Sequence, residues 1–258
     1  MLTPAGGILA LIPAHNEAPR IAAVVEGAGR HLPVLVIDDG SSDDTAAIAE
    51  AAGARVLRQT PNQGKGEALK TGFRRVLADG AAAVLTLDAD GQHDPDEIPG
   101  FLAVWEQTME TRAGNAQSRA PVELVIGARD FRAMPPSRRL ANTLGKRVLG
   151  WATGREIRDN QSGYRLIGRR LMEAMLASGE SGFGFEVEMI VECARRGWAV
   201  EWVPVRTIYA GKTSHINPVP HVARFLTLAW RIRRARGRGV APDERRRDTP
   251  PVRGRRDF

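Results

Sequence analysis

Three features of this 258-residue sequence predict an α/β domain with a mostly parallel central sheet. Short apolar runs alternate with segments of helical length, each run is closed by polar or Gly residues, and a hydrophobic fraction of 43% is enough to fill a large core. A strand–helix–strand order of this kind calls for right-handed crossovers, with helices covering both faces of the sheet.

The elements follow in chain order. Ile8 to Ile12, Val34 to Ile37, Arg55 to Leu57, Val84 to Leu87 and Leu124 to Ile126 are short, often β-branched runs that read as buried strands. Between them, Arg20 to Gly29, Thr45 to Ala52, Gly66 to Ala78 and Asp96 to about Met109 read as helices. Residues 110–121 are polar, small and broken by Gly and Pro, so they read as a surface loop. The second half is less regular. It offers a helix from about Arg138 to Leu149, a turn and strand from Ser162 to Ile167, and a helix from Glu186 to Arg195. In that helix Val187, Ile190, Val191 and Ala194 form an i, i+3, i+4, i+7 stripe. A strand from Val200 to Val203 and a polar loop from Arg206 to Asn217 precede the last helix.

Charge and cysteine usage narrow the class. The net charge of +7 resides in residues 231–258, which hold 11 arginines against four acidic residues; residues 1–230 carry 26 of each sign. A neutral body with a basic arm argues against a nucleic-acid partner and for a local attraction to phosphate-rich surfaces such as anionic lipid. The lone Cys193 excludes an internal disulfide framework, and no Cys/His cluster has zinc-site spacing, which fits a reducing cytoplasm. No apolar run reaches the ~18 residues of a membrane span, and no signal-peptide pattern opens the chain, so a protein that is not itself transmembrane is expected.

Polar residues gather after the strands, where open α/β sheets bind ligands. Pro13-Ala14-His15-Asn16-Glu17, Asp38-Asp39-Gly40-Ser41-Ser42, Asp88-Ala89-Asp90-Gly91-Gln92-His93 and Gly127-Ala128-Arg129 each close one. A single such end is an ordinary helix cap; four suggest a crevice. Strand alternation would place Asp88 and Asp90 on one side of the sheet's exposed end, where a hard cation, Mg²⁺ or Mn²⁺, would relieve their repulsion together with substrate phosphate oxygens. Asn62-Gln63-Gly64-Lys65-Gly66 fails the P-loop spacing. It is read either as a Gly-lined helix start near donor phosphates or as a turn with a solvated Lys. Asp43, Asp44 and Thr45 look like start signals for the next helix.

As a set these motifs resemble the family 2 glycosyltransferases of the GT-A fold, in the branch of dolichyl- and polyprenyl-phosphate sugar synthases. The matches run from Ile12–Glu17 through Val36–Thr45, Asn62–Leu69, Leu87–His93, Ile126–Arg129 and Ser162–Arg165 to Gly184–Met189. The resemblance implies a GT-A, Rossmann-like domain over residues 1–217 and an inverting, metal-dependent transferase that uses a nucleotide-diphosphate sugar, GDP-mannose or a UDP-hexose. Carried onto this chain, Pro13, His15 and Glu17 would lie along the nucleotide, with Ile37 and Asp39 holding base and ribose. Asp88, Ala89 and Asp90 would meet diphosphate and metal, with Gln92 assisting at the metal and Arg129 facing the diphosphate. His15 stands where the synthases often have Tyr and suits a capping role equally well.

The Ser162–Arg165 turn, with Asp159 upstream, sits where this family lines the acceptor side. A hydroxyl acceptor needs a general base, for which Asp159, Glu186 and Glu188 compete; an ionised lipid phosphate needs cations instead, with Arg165, Arg206, Lys212 and His215 as candidates. The expected acceptor is a polyprenyl or dolichyl phosphate, and the catalytic set is Asp90, Arg129 and Arg165. Two alternatives remain: transfer to a soluble or glycan hydroxyl, and a non-catalytic nucleotide-sugar-binding protein.

Residues 218–238 read as an amphipathic basic helix. Val222, Phe225, Leu226, Ala229 and Ile232 share one face opposite Arg224, Thr227, Arg231 and Arg234, and Trp230 leads into an arginine run. Aromatic and basic residues combined in this way suit a membrane surface, although a helix packed on the body would explain the apolar face alone. Residues 239–258 read as a disordered Arg/Pro-rich tail. The expected setting is cytoplasmic and peripheral, on the inner face of an anionic membrane, with a separate membrane-anchor protein as a further partner.

Overall fold

The computed structural model describes residues 7–114, 120–131, 136–180 and 184–206, together with 208, 230, 233 and 234. Seven strands, β1 (Ile8–Ala14), β2 (Val34–Asp39), β3 (Arg55–Gln59), β4 (Ala83–Thr86), β5 (Val122–Arg129), β6 (Arg165–Gly168) and β7 (Ala199–Val205), form one sheet in the order β3-β2-β1-β4-β6-β5-β7. Pairings are parallel except at β6, which runs antiparallel to both β4 and β5. The expected mostly parallel sheet is present, and its reversed strand is the Ser162–Ile167 segment.

The helices are α1 (Ala18–Gly29), α2 (Thr45–Ala51), α3 (Lys65–Ala78), α4 (Ile98–Gly114), α5 (Pro136–Thr153), α6 (Arg169–Met175) and α7 (Gly184–Arg195), with a single 3₁₀ turn at Pro95–Glu97 ahead of α4. Strand alternation divides the core. Ala10, Ile12 and Ala14 of β1 join Ile21 and Val24 of α1, Ala49 of α2 and Phe101 and Trp105 of α4 on one face. Leu9 and Leu11 join Leu69 and Phe73 of α3, Met172 of α6 and Phe185 and Ile190 of α7 on the other. Both faces of β1 and β2 are covered, so their sequences are continuous apolar runs rather than alternating ones.

Two expectations change. Of the stretch 110–121 expected as a loop, the first five residues are helical, because α4 continues to Gly114, and 115–119 lie outside the described residues. Asp88 and Asp90 are not in a strand: β4 ends at Thr86, and the two carboxylates lie in the turn that follows, so turn geometry and side-chain partners position them. The helix α6 lacked a readable signal, since its seven residues, RRLMEAM, span barely two turns. The amphipathic helix over 218–238, with Lys212, His215 and the tail, lies outside the described residues apart from Trp230, Arg233 and Arg234. No described helix is long and apolar enough to cross a membrane.

The contact between α3 and β1 is close at Gly72, where an added Cβ would stand 2.5 Å from Leu11 Cδ1. Leu11 is fully buried in the central strand. Gly72→Val should therefore lower the unfolding free energy by about 2 kcal/mol through overpacking, measured by urea denaturation. Unchanged stability would show that α3 can move off the sheet.

Candidate functional site

The carboxyl ends of the parallel strands are held together by side chains that cap backbone groups of neighbouring loops. Asp43 accepts hydrogen bonds from the backbone N–H of Thr45 at 3.1 Å and of Ala18 at 3.3 Å, and the Glu17 N–H donates to Thr45 Oγ1 at 2.8 Å. Asn16, at φ +54°, accepts from the Ser42 N–H at 2.8 Å, while its own N–H donates to Ser41 Oγ. His15 Nδ1 lies 2.9 Å from the Asp39 carbonyl oxygen. The loop after β1 is thereby fastened to the loop after β2, with His15 exposed at the rim and Pro13 half-buried behind it. Glu17 is half-buried and accepts from Arg20 Nη1 at 2.9 Å. Asp38 accepts from the Ser41 N–H and orients that turn.

Several residues carried over as ligand contacts have other partners. Ile37 is wholly buried among α3-side core residues and presents no side chain to the crevice. Ala89 is likewise buried, on the opposite core face. Asp39 is 3% exposed, and its carboxylate accepts from Gln59 Nε2 at 2.6 Å, the Gln63 N–H at 2.8 Å and the Gly64 N–H at 2.8 Å. It holds the β3–α3 loop, because two backbone donors there would otherwise be left without a partner.

The Asp88 turn is the electrostatic centre. Lys65 Nζ, at the start of α3, lies 2.5 Å from Asp88 Oδ1 and 2.7 Å from Glu186 Oε1 of α7. His93 Nε2 stands 3.3 Å from Asp88 Oδ2, with its ring against Tyr164. Burial alone would raise the Asp88 pKa, but Lys65 and His93 hold it well below the usual carboxylate range. Burial likewise opposes the charge on Lys65, yet Asp88 and Glu186 push its pKa above the ordinary lysine value. A Cβ on Gly163 would come within 2.7 Å of Asp88 Oδ2 and 2.9 Å of Lys65 Nζ, so glycine leaves the space the ion pair occupies. Thr86 Oγ1 donates to the Gly163 carbonyl at 2.8 Å, and Tyr164 OH donates to the Asp94 carbonyl at 3.0 Å, fixing this turn from both sides.

Asp90 differs from Asp88. Its partners are the Gln92 backbone N–H at 3.0 Å and the Gln92 Nε2 at 2.5 Å, both neutral amides. Among the described residues no group of three or more His, Cys, Asp and Glu side chains could enclose a metal. A pair of carboxylates with a neighbouring amide fits Mg²⁺ or Mn²⁺ nonetheless, since such ions keep waters and substrate phosphate oxygens in their remaining positions. The cradle beside Gly163 and the Asp90 carboxylate, which has no cationic partner among the described residues, are compatible with that donor set.

The cation candidates separate. Arg206 follows β7 and reaches this turn, with Nη2 3.0 Å from Asp94 Oδ2 and Nε 3.4 Å from Glu97 Oε1, and the Ile208 N–H donates to the Gln92 carbonyl. Arg165, expected on the acceptor side, is buried. It is 1% exposed and donates to the backbone carbonyls of Ser162 at 2.7 Å, Asn160 at 3.4 Å and Glu186, so it is a buried strut joining the turn to α7. The three base candidates are all engaged: Asp159 with Arg129 at 2.6 and 3.0 Å, Glu186 with Lys65, and Glu188 with Ser178 Oγ at 2.5 Å. Cys193 is buried, which pushes its thiol up to about 12 and leaves it unreactive.

Arg129, held bidentate by the fully buried Asp159, opens onto a cavity of about 630 Å³ between the end of β5, α5 and the 155–158 segment. Arg129, Arg139, Lys146, Arg147, Arg155 and Arg158 line it against only two acidic residues, Asp130 and Glu156. The sequence reading passed over five of these six cations. Arg139, Thr143, Lys146, Arg147 and Gly150 recur at i, i+4, i+7, i+8 and i+11, a helical stripe that could have revealed them.

Residues 10–167 match the family described as glycosyl transferase family 2. The glycosyltransferase AglJ of Haloferax volcanii is 34% identical over 231 residues, covering 85% of this chain and 69% of that protein. The polyprenol monophosphomannose synthase of Mycolicibacterium smegmatis is 30% identical, covering 91% and 92% of the two chains. Among solved structures, glucosyl-3-phosphoglycerate synthase of Mycobacterium tuberculosis, in complex with Mn²⁺, UDP-glucose and phosphoglyceric acid, aligns with a TM-score of 0.64 at 22% identity. That alignment covers 88% of this chain and 79% of the other and shows the shared GT-A-like fold.

Because Arg165 satisfies buried carbonyls, Arg165→Met should cost roughly 3 kcal/mol of stability, the scale of losing charged hydrogen bonds in an interior. Thermal and urea unfolding would measure it. A variant of native stability that binds acceptor poorly would return Arg165 to the acceptor side.

Proposed function

We propose that this chain, which belongs to glycosyltransferase family 2, moves one sugar from a nucleotide-diphosphate donor to a polyprenyl phosphate. The observation that carries this reading is the basic cavity beside Arg129. A lipid monophosphate carries up to two negative charges and accepts hydrogen bonds on its free oxygens, which arginine forks satisfy. A neutral sugar hydroxyl would not require an excess of three positive charges, which is what remains when Asp130, Glu156 and the Arg129 partner Asp159 are set against the six cations. The engagement of Asp159, Glu186 and Glu188 points the same way, because an ionised phosphate attacks without a base.

In this reading the two ends of the reaction lie at different strands of the sheet. Asp88 lies in the turn after β4 and Arg129 ends β5, with β6 between those strands, so the two residues belong to different parts of the sheet's carboxyl edge. The transferred hexose would lie between them. An acceptor phosphate oxygen held by the α5 cations forms the new bond to the anomeric carbon from the side opposite the donor. The bond from that carbon to the diphosphate breaks, and its electron pair leaves with the nucleoside diphosphate, inverting the centre. When bound, Mg²⁺ or Mn²⁺ at Asp88 and Asp90, with Gln92 beside them, neutralises charge on the departing diphosphate. The exposed loop after β1, carrying His15 and Glu17, would line the nucleotide side, and Arg206, with Lys212 beyond it, the phosphate side. The relatives' names support the acceptor class: the mycobacterial protein is a polyprenol monophosphomannose synthase.

An anionic membrane surface suits this acceptor. Leu144 and Trp151 on α5 and Trp230 are exposed, and the Arg233 guanidinium stacks 5.4 Å from the Trp151 ring. Indole and guanidinium groups together favour the headgroup layer, and a separate anchor protein would act beside it.

Asp90→Ala should reduce transfer at least a hundredfold while leaving the unfolding midpoint within a few degrees of wild type, since Asp90 makes hydrogen bonds only to adjacent Gln92 among the described residues. Activity that is unchanged and indifferent to chelators would remove the metal from the mechanism. For the acceptor, Arg139→Ala combined with Lys146→Ala should raise the apparent KM for polyprenyl phosphate about tenfold or more, with nucleotide affinity unchanged. An unaltered KM, or transfer to hydroxyl compounds alone, would overturn the lipid-phosphate reading.

A further inference from the structure

Two carboxylates in one turn, as at Asp88 and Asp90, ordinarily attract a free divalent cation from solution. Here one of them is already occupied. Lys65 Nζ is 2.5 Å from Asp88 Oδ1, and His93 Nε2 is 3.3 Å from Asp88 Oδ2, so each oxygen of that carboxylate has a partner. The ammonium is anchored on its far side by Glu186 Oε1 at 2.7 Å, and Glu186 is nine-tenths buried. Gly163 closes over the pair: any side chain there would strike Asp88 Oδ2 and Lys65 Nζ.

A cation arriving alone therefore has to displace an ammonium from Asp88 and stand beside it, and at close range in a partly dry site that repulsion is strong. A cation arriving with a diphosphate does not face the same cost. The phosphate oxygens supply ligands for the metal and a new anion for the displaced ammonium.

We propose that Lys65 is a built-in counter-ion which makes metal binding at Asp88 and Asp90 conditional on the nucleotide diphosphate, so that metal and donor enter as one complex. The proposal rests on the donor-site reading above and deepens it. Without bound donor the crevice stays electrostatically closed to free metal, and after transfer the departing diphosphate takes the metal with it.

The test is a titration of the full-length protein with Mn²⁺ alone and with Mn²⁺ plus UDP or GDP, in which electron paramagnetic resonance counts the free ion. Wild type should bind Mn²⁺ at least tenfold more tightly with one of the diphosphates than without. Lys65→Met should tighten binding of Mn²⁺ alone about tenfold or more and remove most of the diphosphate dependence. Glu186→Gln, which leaves Lys65 wholly to Asp88, should shift binding of Mn²⁺ alone in the opposite direction. Opposite shifts in the two variants are what a counter-ion produces. Weaker binding in both is what a merely structural lysine would give and overturns the proposal. So does a wild type that takes Mn²⁺ equally well with and without diphosphate. If wild type binds no Mn²⁺ with either diphosphate, the donor-site reading falls with it.

Discussion

Asp88 in the turn after β4 and Glu186 at the start of α7 are brought to one point by the fold, and two carboxylates gathered there repel unless a cation stands between them. Lys65 is that cation. Its position depends on α3 beginning where it does, which depends on Asp39 holding the Gln63 and Gly64 backbone. Its space depends on Gly163 in the turn before β6, and that turn is held by Thr86 and by the buried Arg165. The charged centre of the crevice is thus tied to α3, α7 and the turns after β4 and before β6. Removing any one member would leave a desolvated charge or an orphaned backbone group.

The same economy of partners shapes the chemistry. Two carboxylates in the second half of the chain position cations, Asp159 aligning Arg129 and Glu186 anchoring Lys65, while Glu188 accepts from the Ser178 hydroxyl. The three base candidates read from the sequence are thus committed to other partners. An acceptor that brings its own negative charge suits such a site, and the arginines and lysine around the α5 cavity are the groups that would receive it.

Much of this was legible in the sequence, for identifiable reasons. The parallel half of the sheet announced itself because β1, β2 and β4 are buried on both faces and so are written as unbroken apolar runs. The crevice was legible because polar residues crowd the carboxyl ends of those strands. Individual roles were less so. Aspartates that cap loops and aspartates open to other partners are written with the same letter, and only the structure shows that Asp39 accepts one hydrogen bond from Gln59 of β3 and two from the β3–α3 loop, while Asp90 has only Gln92 amides as partners among the described residues. Arg165 misled for a similar reason: in sequence a guanidinium after Ser-Gly-Tyr looks available, yet the antiparallel start of β6 turns it inward onto carbonyls. The α5 cations were hidden because their stripe emerges only at the helical period, interleaved with apolar residues on other faces.

The most direct measurement is on the product. Purified protein would be incubated with a nucleotide sugar, Mn²⁺ and polyprenyl phosphate in anionic vesicles, and the lipid examined by phosphorus NMR and by the coupling of the anomeric proton. Attack by the lipid phosphate predicts conversion of the phosphomonoester resonance into a phosphodiester joining prenol and sugar, with the anomeric configuration inverted relative to the donor. A lipid monoester that stays unchanged while sugar appears on a hydroxyl compound, or a product of retained configuration, would contradict it.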